Sequence, residues 1–380
     1  MDRKEVSVVL AVVVIVAAAL AFSYATDDRQ DGEVSITATV IGIDDYTSPI
    51  LDISMQDLTD AGFSYGDYVN IDIGIIHNIN SLLTNGYNAL GFYDTFIADD
   101  GGEIHVGLFG GTLPPVDIGE TAYLVKVGVC PYYDKLEMTS QGIVNDPSRY
   151  DDDEMLANFY QVTGGSIADG KLYRGCNPFR DVAVNPRAPY VDDAAEDHGI
   201  AFLISLSFDE TSIHDLPTQF DGSYCKGLVD RGNYIAPGMT QDFLHDNGLK
   251  DVFLSIIEND GPYMVHCNEG RDRTGAVCMM LQALCGATEE EMVEGYLQSF
   301  VILHLVVPGS EEYDLIRTFT FDRLVYLFGD PSRLDDVLSI DWTSIDISDV
   351  DINVAVYGYV TDVLGLTSDQ VDALVEKLSA

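Results

Sequence analysis

The first third of the chain alternates apolar and polar positions in a way that predicts strands. Four short segments rich in valine, isoleucine, threonine and tyrosine are separated by glycine and aspartate, which favour turns. One short helix is predicted to interrupt them, over residues 54–61. We therefore expect a small β-rich domain over residues 33–145, without a cluster of titratable residues and with an accessory or docking role. The predicted strands are residues 35–41, 68–73, 104–108 and 121–129.

The pattern changes after an acidic, proline-containing stretch at residues 146–154, which we expect to join two domains. Helical and strand patterns alternate beyond it. This alternation predicts an α/β domain, with a central sheet flanked by helices, over residues 155–380 and with a helical C-terminal extension. A helix over residues 188–198 is predicted to end at Gly199 and to lead into a buried strand at residues 200–205.

The middle of the α/β domain shows the order helix, strand, loop, helix. Apolar positions between residues 249 and 257 recur at helical spacing, and residues 263–266 form a short apolar run typical of a strand. Residues 276–284 are apolar on all sides, which predicts a buried central helix. A capping box beginning at Thr288 opens the next helix, and residues 366–378 predict a terminal one.

An apolar stretch near the N-terminus, residues 6–25, is long enough to cross a bilayer core of about 30 Å. Arg3 and Lys4 precede it, which favours a cytoplasmic N-terminus and export of the remainder. We therefore predict an N-terminal hydrophobic helix that anchors the chain in the membrane, over residues 1–26, with the catalytic domain extracytoplasmic. The alternative is a cleaved signal peptide and a secreted protein, because residues 23–25 offer small side chains to a peptidase.

The charge balance excludes one class of partner. The formal net charge is −44, from 63 acidic and 19 basic residues, so the field of the protein repels nucleic acid. Such an acidic surplus also fits a protein kept soluble in high salt. Six cysteines form no Cys-x-x-Cys pair and no metal-ligand spacing, so we expect neither a disulfide scaffold nor a metal site.

The chemistry is concentrated in residues 266–275, His-Cys-Asn-Glu-Gly-Arg-Asp-Arg-Thr-Gly, between a predicted strand and a predicted helix. The N-terminus of a helix binds anions through its free N–H groups and its dipole. Arg273, six residues after Cys267, can grip two phosphate oxygens with its planar fork. The sequence therefore predicts a cradle for a phosphate monoester. Its other phosphate-binding residues are Asn268, Glu269, Gly270, Arg271 and Gly275.

The same position activates the thiol of Cys267. A cysteine at a helix N-terminus beside an arginine is favoured as the thiolate, which is the nucleophilic form. Thr274 is expected to donate a hydrogen bond to the sulfur, and His266 to order the loop from behind. We predict a double displacement through a phosphocysteine, which needs no metal or cofactor.

These residues fit the pattern Cys-x5-Arg-[Ser/Thr]-Gly, and the segment resembles the active-site loop of the protein tyrosine phosphatase superfamily. His-Cys-x-x-Gly-[Lys/Arg]-Asp-Arg-Thr-Gly is similar to bacterial tyrosine phosphatases that also act on phosphoinositides. Residues 172–175 and 185–190 resemble the beginning of that family's catalytic domain. The resemblance covers residues 155–330. It implies that Asp272, inside the loop, is the general acid, whereas a separate loop supplies the acid elsewhere in the superfamily, for which Asp209 is the best match.

The predicted function is a phosphatase acting on phosphotyrosine or similar aryl phosphates, in a phosphorylated protein or a small phosphate ester. A first alternative is an inositol phosphate or phosphoinositide phosphatase. Polyanions are expected to bind less well, because Asn268 and Glu269 add no positive charge, while Arg174 and Arg187 belong either to the rim or to the structural framework. A second alternative is a protein that binds phosphorylated ligands without catalysis.

Overall fold

The coordinates are a computed structural model. They describe residues 34–44, 48–85, 95–100, 102–108, 113–130, 133, 143–183, 185–239, 244, 248–334 and 345–380. The predicted N-terminal anchor, residues 1–26, lies outside these ranges. Within the described ranges, none of the helices has the length and hydrophobicity required to span a bilayer.

The N-terminal region forms a closed barrel. Its strands follow the order β1-β2-β6-β5-β4-β3-β7 around the barrel, and β7 closes on β1. Neighbouring strands are antiparallel except for β4 and β5, which are parallel. Alternate side chains fill the interior, for example Val69, Ile71 and Ile73 of β3. The strands are β1 (Ser35–Ile43), β2 (Pro49–Leu51), β3 (Asp67–Ile73), β4 (Ile76–Asn85), β5 (Thr95–Asp100), β6 (Glu103–Leu108) and β7 (Thr121–Val129).

All four predicted strands are present in the barrel, and the predicted helix is α1 (Met55–Asp60). Ser54 and Asp57 form its capping box, and Leu58 is buried in the barrel core. The expectation of no titratable cluster was wrong. His105 is buried with Nδ1 3.1 Å from Asp44 Oδ2, and its Nε2 lies 3.7 Å from Glu103 Oε2.

The α/β region has a sheet of five strands in the order β11-β10-β12-β9-β8. Its strands are parallel except β8, which is antiparallel to β9. All four residues of the central strand β12 are buried, as expected for a parallel strand covered on both faces. The strands are β8 (Tyr160–Gln161), β9 (Leu172–Gly175), β10 (Phe202–Ser205), β11 (Tyr234–Ile235) and β12 (Tyr263–His266).

Helices flank this sheet and continue to the C-terminus. They are α2 (Asp153–Leu156), α3 (Ala188–Asp197), α4 (Glu210–His214), α5 (Tyr224–Asp230), α6 (Gly248–Glu258), α7 (Asp272–Leu284), α8 (Glu289–His304), α9 (Glu311–Arg317), α10 (Arg323–Gly329), α11 (Ile352–Gly358) and α12 (Ser368–Ser379). Short 3-10 turns occur at Pro147–Arg149 and Thr218–Phe220, and wider π turns at Thr318–Asp322 and Tyr359–Val363.

Helix α7 is the predicted central helix, buried from Thr274 to Ala283. It begins at Asp272, four residues earlier than residue 276, and Gly275 in its first turn lies against Tyr296, where a Cβ atom would be only 2.9 Å from the ring. The predicted capping box also holds α8, where Thr288 and Glu291 bind each other's backbone N–H groups. These elements put the loop of residues 266–275 at the carboxyl end of the central strand.

The acidic stretch at residues 146–154 is part of the framework of the α/β region. Arg187 is fully buried and donates hydrogen bonds to the carbonyls of Val144 and Leu156. It also binds Asn145 Oδ1 at 3.2 Å and the Tyr150 hydroxyl at 2.8 Å. Arg187 therefore belongs to the framework and adds no charge to a substrate rim.

Candidate active site

The loop between β12 and α7 turns sharply at Gly270, where φ is +67°. A Cβ atom there would lie 2.1 Å from the carbonyl oxygen of Gly175 in the neighbouring strand. Only glycine fits both the backbone conformation and the close approach. The loop therefore packs closely against the end of β9.

Groups behind the loop bind its first carbonyls. The amide of Asn177 donates to the oxygen of Asn268 at 3.1 Å. Asn158 Nδ2 and Cys176 Sγ donate to the oxygen of Glu269 at 3.0 and 3.2 Å. Both carbonyls consequently point away from the centre of the loop.

Arg174 binds the next two carbonyls. Its Nη2 donates to the oxygen of Gly270 at 2.7 Å and to that of Arg271 at 3.1 Å. The guanidinium also binds Ser299 Oγ at 3.1 Å and the carbonyl of Gly295 at 2.9 Å, both on α8. Arg174 is only 1% exposed, so it is a buried bracket behind the loop and adds no charge to its rim.

These contacts determine the direction of the loop's N–H groups. In a planar trans peptide, the N–H of one residue points opposite to the carbonyl of the residue before it. Because the carbonyls of residues 268–271 point outward, the N–H groups of residues 269–272 point inward. Successive inward N–H groups at a helix N-terminus form a nest for an anion.

Cys267 precedes the residues of this nest in the chain, and Arg273 follows them. Cys267 follows the last residue of β12 and is 3% exposed. Arg273 Nη1 donates to the carbonyls of Leu206 and Met239, the first at 3.4 Å. Since these carbonyls belong to other segments, the position of the guanidinium depends on the fold of the whole α/β region.

Thr274 and His266 are both buried beside the nucleophile. Within the described part of the chain, the Thr274 hydroxyl has no hydrogen-bond partner, so the predicted bond to the sulfur of Cys267 is not formed. Nδ1 of His266 lies 3.2 Å from the carbonyl oxygen of Cys267. Burial, opposed by that hydrogen bond and aided by the positive charge of Arg273, lowers the pKa of His266 to about 4. The imidazole is therefore neutral at pH 7 and supports the backbone.

Asp272 is an exposed carboxylate held by its neighbour. Its two oxygens accept hydrogen bonds from Nε and Nη2 of Arg271, at 3.0 and 3.1 Å. Desolvation would raise the pKa of Asp272, but the charge and hydrogen bonds of Arg271, with the charge of Arg273, outweigh it and lower the pKa. His304 holds Arg271 from the other side, with 2.8 Å between its Nε2 and the guanidinium Nη1. The carboxylate is thus ionised in this structure.

The carboxylate of Asp209 is also held by hydrogen bonds. It is the N-cap of α4 and accepts hydrogen bonds from the amide and hydroxyl of Ser212, at 2.7 and 2.8 Å. These bonds lower the pKa of Asp209. The amide of Gly238 donates to the carbonyl of Phe208 at 2.7 Å, which ties this turn to the segment carrying Met239. Neither candidate acid is held here in a form ready to donate a proton.

Sequence reasoning missed several residues that organise the loop. Arg180 Nη1 lies 3.2 Å from Glu269 Oε1 and offsets the acidic charge that the loop itself carries. Asn158 and Ser299 are buried, and their side chains are 3.1 Å apart behind the loop. No local pattern marks these three residues, because their partners are distant in sequence.

The described residues contain no group of three or more histidine, cysteine or acidic side chains that could hold a metal ion. His198 binds Glu154 at 2.9 Å, and His214 binds the hydroxyl of Tyr234 at 2.8 Å. These histidines therefore have structural partners at a distance from the loop.

Residues 230–380 match the tyrosine phosphatase family, and the matched region contains the whole loop. This match supports a cysteine-based phosphatase of the protein tyrosine phosphatase superfamily. The chain is a phosphoric monoester hydrolase. The second resemblance, at residues 172–190, lies outside the matched region. No curated protein matches the chain.

Some solved structures are similar to parts of the hydrolase. An uncharacterized conserved protein from Thermotoga maritima has 12% identity and a TM-score of 0.22, covering 25% of this chain and 39% of its own. The core catalytic domain of the PP-IP phosphatase SIW14 from S. cerevisiae, in complex with citrate, has 16% identity and a TM-score of 0.27. The match covers 48% of this chain and 94% of that domain. A second structure, of the Siw14 catalytic core, has 13% identity and a TM-score of 0.23, and the match covers 47% of this chain and 96% of that core. Similarities at this level carry no argument about substrate.

Proposed function

We propose that this hydrolase cleaves phosphotyrosine or similar aryl phosphate monoesters, with Cys267 as the nucleophile. The observation that carries the proposal is the set of outward carbonyls at residues 268–271, which turns the N–H groups of residues 269–272 inward beside the sulfur. Such a nest at a helix N-terminus binds a phosphate dianion and stabilises charge that develops during its transfer.

In the first step, the Cys267 thiolate attacks phosphorus and forms a sulfur–phosphorus bond. The bond between phosphorus and the leaving oxygen breaks, and that oxygen takes a proton from the general acid. Arg273 and the inward N–H groups hold the three non-bridging oxygens. The products of this step are the alcohol or phenol and a phosphocysteine.

In the second step, water attacks the phosphocysteine and gives a proton to the carboxylate left by the first step. The sulfur–phosphorus bond breaks, and its electron pair returns to the sulfur of Cys267. The unpartnered hydroxyl of Thr274 is suited to stabilise this thiolate by donating a hydrogen bond. Inorganic phosphate then leaves the nest.

We assign the general acid to Asp272. It lies within the loop, and a bound phosphate dianion would offset the charges of Arg271 and Arg273 that now favour the carboxylate. To act, the Asp272 side chain must leave its bidentate contact with Arg271 and turn toward the leaving oxygen. Asp209 is the alternative, and it would have to release its cap on α4.

The charges around the loop favour an aryl phosphate over a polyphosphate. Arg174 and Arg187 are buried in the framework, and Arg180 is paired with Glu269. Arg271 is 11% exposed and is paired with Asp272. Few guanidinium groups are thus left to bind further phosphates of an inositol ring.

The test first measures hydrolysis of an aryl phosphate in the presence of a chelator. It then compares the rates of hydrolysis of phosphotyrosine peptides and of inositol phosphates. Cys267→Ser and Arg273→Ala should each abolish turnover, whereas Cys285→Ser, at the opposite end of α7 from the nest, should retain it. Cys267→Ser should still bind vanadate, because its nest survives. Near-normal turnover by Cys267→Ser, or turnover of inositol phosphates only, would refute the proposal.

We also propose that residues 1–26 anchor the protein with its catalytic domain outside the cytoplasm. Arg3 and Lys4 ahead of the apolar stretch support this orientation. External protease added to intact cells should remove the domain. Protection of the domain would reverse the assignment, and its release into the medium would favour the cleaved signal peptide.

A further inference from the structure

A cavity of about 340 Å³ lies beside the active-site loop. Two segments of the α/β region and the beginning of α3 form its walls. None of the residues that line it belongs to residues 266–275. The lining residues are Pro178, Arg180, Asp181, Val182, Ala188, Pro189, Asp192, Asp193, Gln219, Phe220 and Ser223.

The cavity adjoins the loop through the segment of residues 177–180. The amide of Asn177 binds the carbonyl of Asn268 at 3.1 Å, and Arg180 pairs with Glu269 at 3.2 Å. Arg180 itself lines the cavity, as does the residue that follows Asn177. An extended peptide spans at most about 3.6 Å per residue. A residue only a few positions from the phosphotyrosine in a bound peptide could therefore reach the cavity.

The walls of the cavity are mostly apolar, and its charge is negative. Proline, valine, alanine and phenylalanine side chains form the apolar part. The lining contains three carboxylates, from Asp181, Asp192 and Asp193, and one guanidinium, that of Arg180, which pairs with Glu269. A second phosphate would be repelled here. A side chain with an apolar stem and a cationic end, lysine or arginine, matches both properties.

The carboxylates occupy defined positions. Both oxygens of Asp192 accept hydrogen bonds from the N-terminus of α5, from the amides of Tyr224 at 2.9 Å and Cys225 at 2.8 Å. Asp181 accepts one from the amide of Ala183 at 2.8 Å. Asp181 and Asp193 are both exposed, and Asp193 lies on α3, where it can meet an incoming side chain. The cavity therefore offers one fixed carboxylate, that of Asp192, and two accessible ones.

We propose that this cavity is a subsite for a lysine or arginine side chain that lies next to the phosphotyrosine in a protein substrate. This inference rests on the proposed function and adds a sequence preference to it. The aliphatic stem would lie on the apolar walls while the cation approaches Asp193. The preference should act mainly on KM, because the subsite touches no reacting atom.

The experiment uses two phosphotyrosine peptides that are identical except for lysine or glutamate at one flanking position, with that position scanned along the peptide. At the best position, we expect kcat/KM to be about fivefold higher for lysine, the size of a partly exposed ion pair. Asp193→Lys should abolish or invert the preference. Asp197→Lys, the same charge change one turn along α3 and outside the cavity lining, should keep it.

A small aryl phosphate, too short to reach the cavity, separates the two proposals. Equal kcat/KM for both peptides at every position, with normal turnover of the aryl phosphate, would overturn the subsite and leave the phosphatase function standing. A preference that Asp193→Lys and Asp197→Lys weaken equally would also overturn it, because that result indicates only the general field of the protein. Loss of turnover on all three substrates would overturn the function itself.

Discussion

Replacing Arg174 with methionine separates support of the loop from stability of the fold. Arg174 donates to the carbonyls of Gly270, Arg271 and Gly295, and all these contacts are buried or nearly so. Methionine fills much of the same volume and donates no hydrogen bond. The substitution therefore leaves three carbonyl oxygens without this donor.

The expected loss of stability follows from those three groups. A buried acceptor left without its donor costs about 1 to 3 kcal/mol. Each of the three carbonyls keeps another donor: Ser299 Oγ lies 3.2 Å from the oxygen of Gly270, the amide of Gly275 lies 2.9 Å from that of Arg271, and the Tyr160 hydroxyl lies 3.3 Å from that of Gly295. The loss at each carbonyl is therefore at the low end, and we expect Arg174→Met to lower the free energy of unfolding by about 3 kcal/mol. Because Arg174 holds two successive loop carbonyls together, we also expect kcat to fall about 100-fold, the effect of removing an oxyanion donor.

The matched control is Arg187→Met. Arg187 is also a fully buried arginine with four hydrogen-bond acceptors, but none of them belongs to the loop. Urea unfolding gives the stability of each variant, and aryl phosphate turnover is measured per folded molecule under conditions where both are folded. Arg187→Met should lose similar stability and keep its turnover. Equal loss of turnover in both variants, or full turnover in Arg174→Met, would refute the bracket role.

Three further predictions concern single residues. Asp272→Asn should slow esters of poor leaving groups far more than those of good ones, whereas Asp209→Asn should not; the opposite result exchanges their roles. The pKa of His266 is lowered from 6.5 to about 4, so its neutral form contributes stability in full above pH 6.5, and this stability is lost as the pH falls toward 4. Over that pH range, the free energy of unfolding should therefore fall by about 3 kcal/mol less in His266→Gln than in the unchanged protein. Gly270→Ala should abolish turnover, because the added Cβ atom clashes with the carbonyl oxygen of Gly175. Its control is Gly286→Ala, at a residue with positive φ but open space around it, which should lose only about 1 kcal/mol of stability and keep full turnover.

The position of the loop, between a strand and a helix, could be predicted because its candidate residues are contiguous. Nucleophile, arginine and glycines all lie within residues 266–275, and the strand before them and the helix after them have strong apolar patterns. The capping box at Thr288 was equally local. Strands β2, β4 and β5 were missed, because β2 is only three residues long and the others interrupt their apolar positions with polar ones.

The support behind the loop could not be predicted in the same way. Asn158 is 111 residues from its partner Glu269, and Arg174 is 96 residues from Gly270. Such contacts depend on which strand lies beside β12, and that order is a property of the tertiary fold. The helix cap formed by Asp209 could have been predicted from the sequence, since Asp209 and Ser212 have the spacing of a capping box.

The outward carbonyls of the loop have a consequence for binding energy. Their donors come from the protein itself, so the backbone is already arranged as a bound phosphate would require. The entropy of ordering these residues is lost during folding and does not recur when substrate binds. Phosphate binding should therefore change amide hydrogen exchange little in residues 269–272 beyond the direct contact. Association should be limited by encounter with the substrate rather than by closure of the loop.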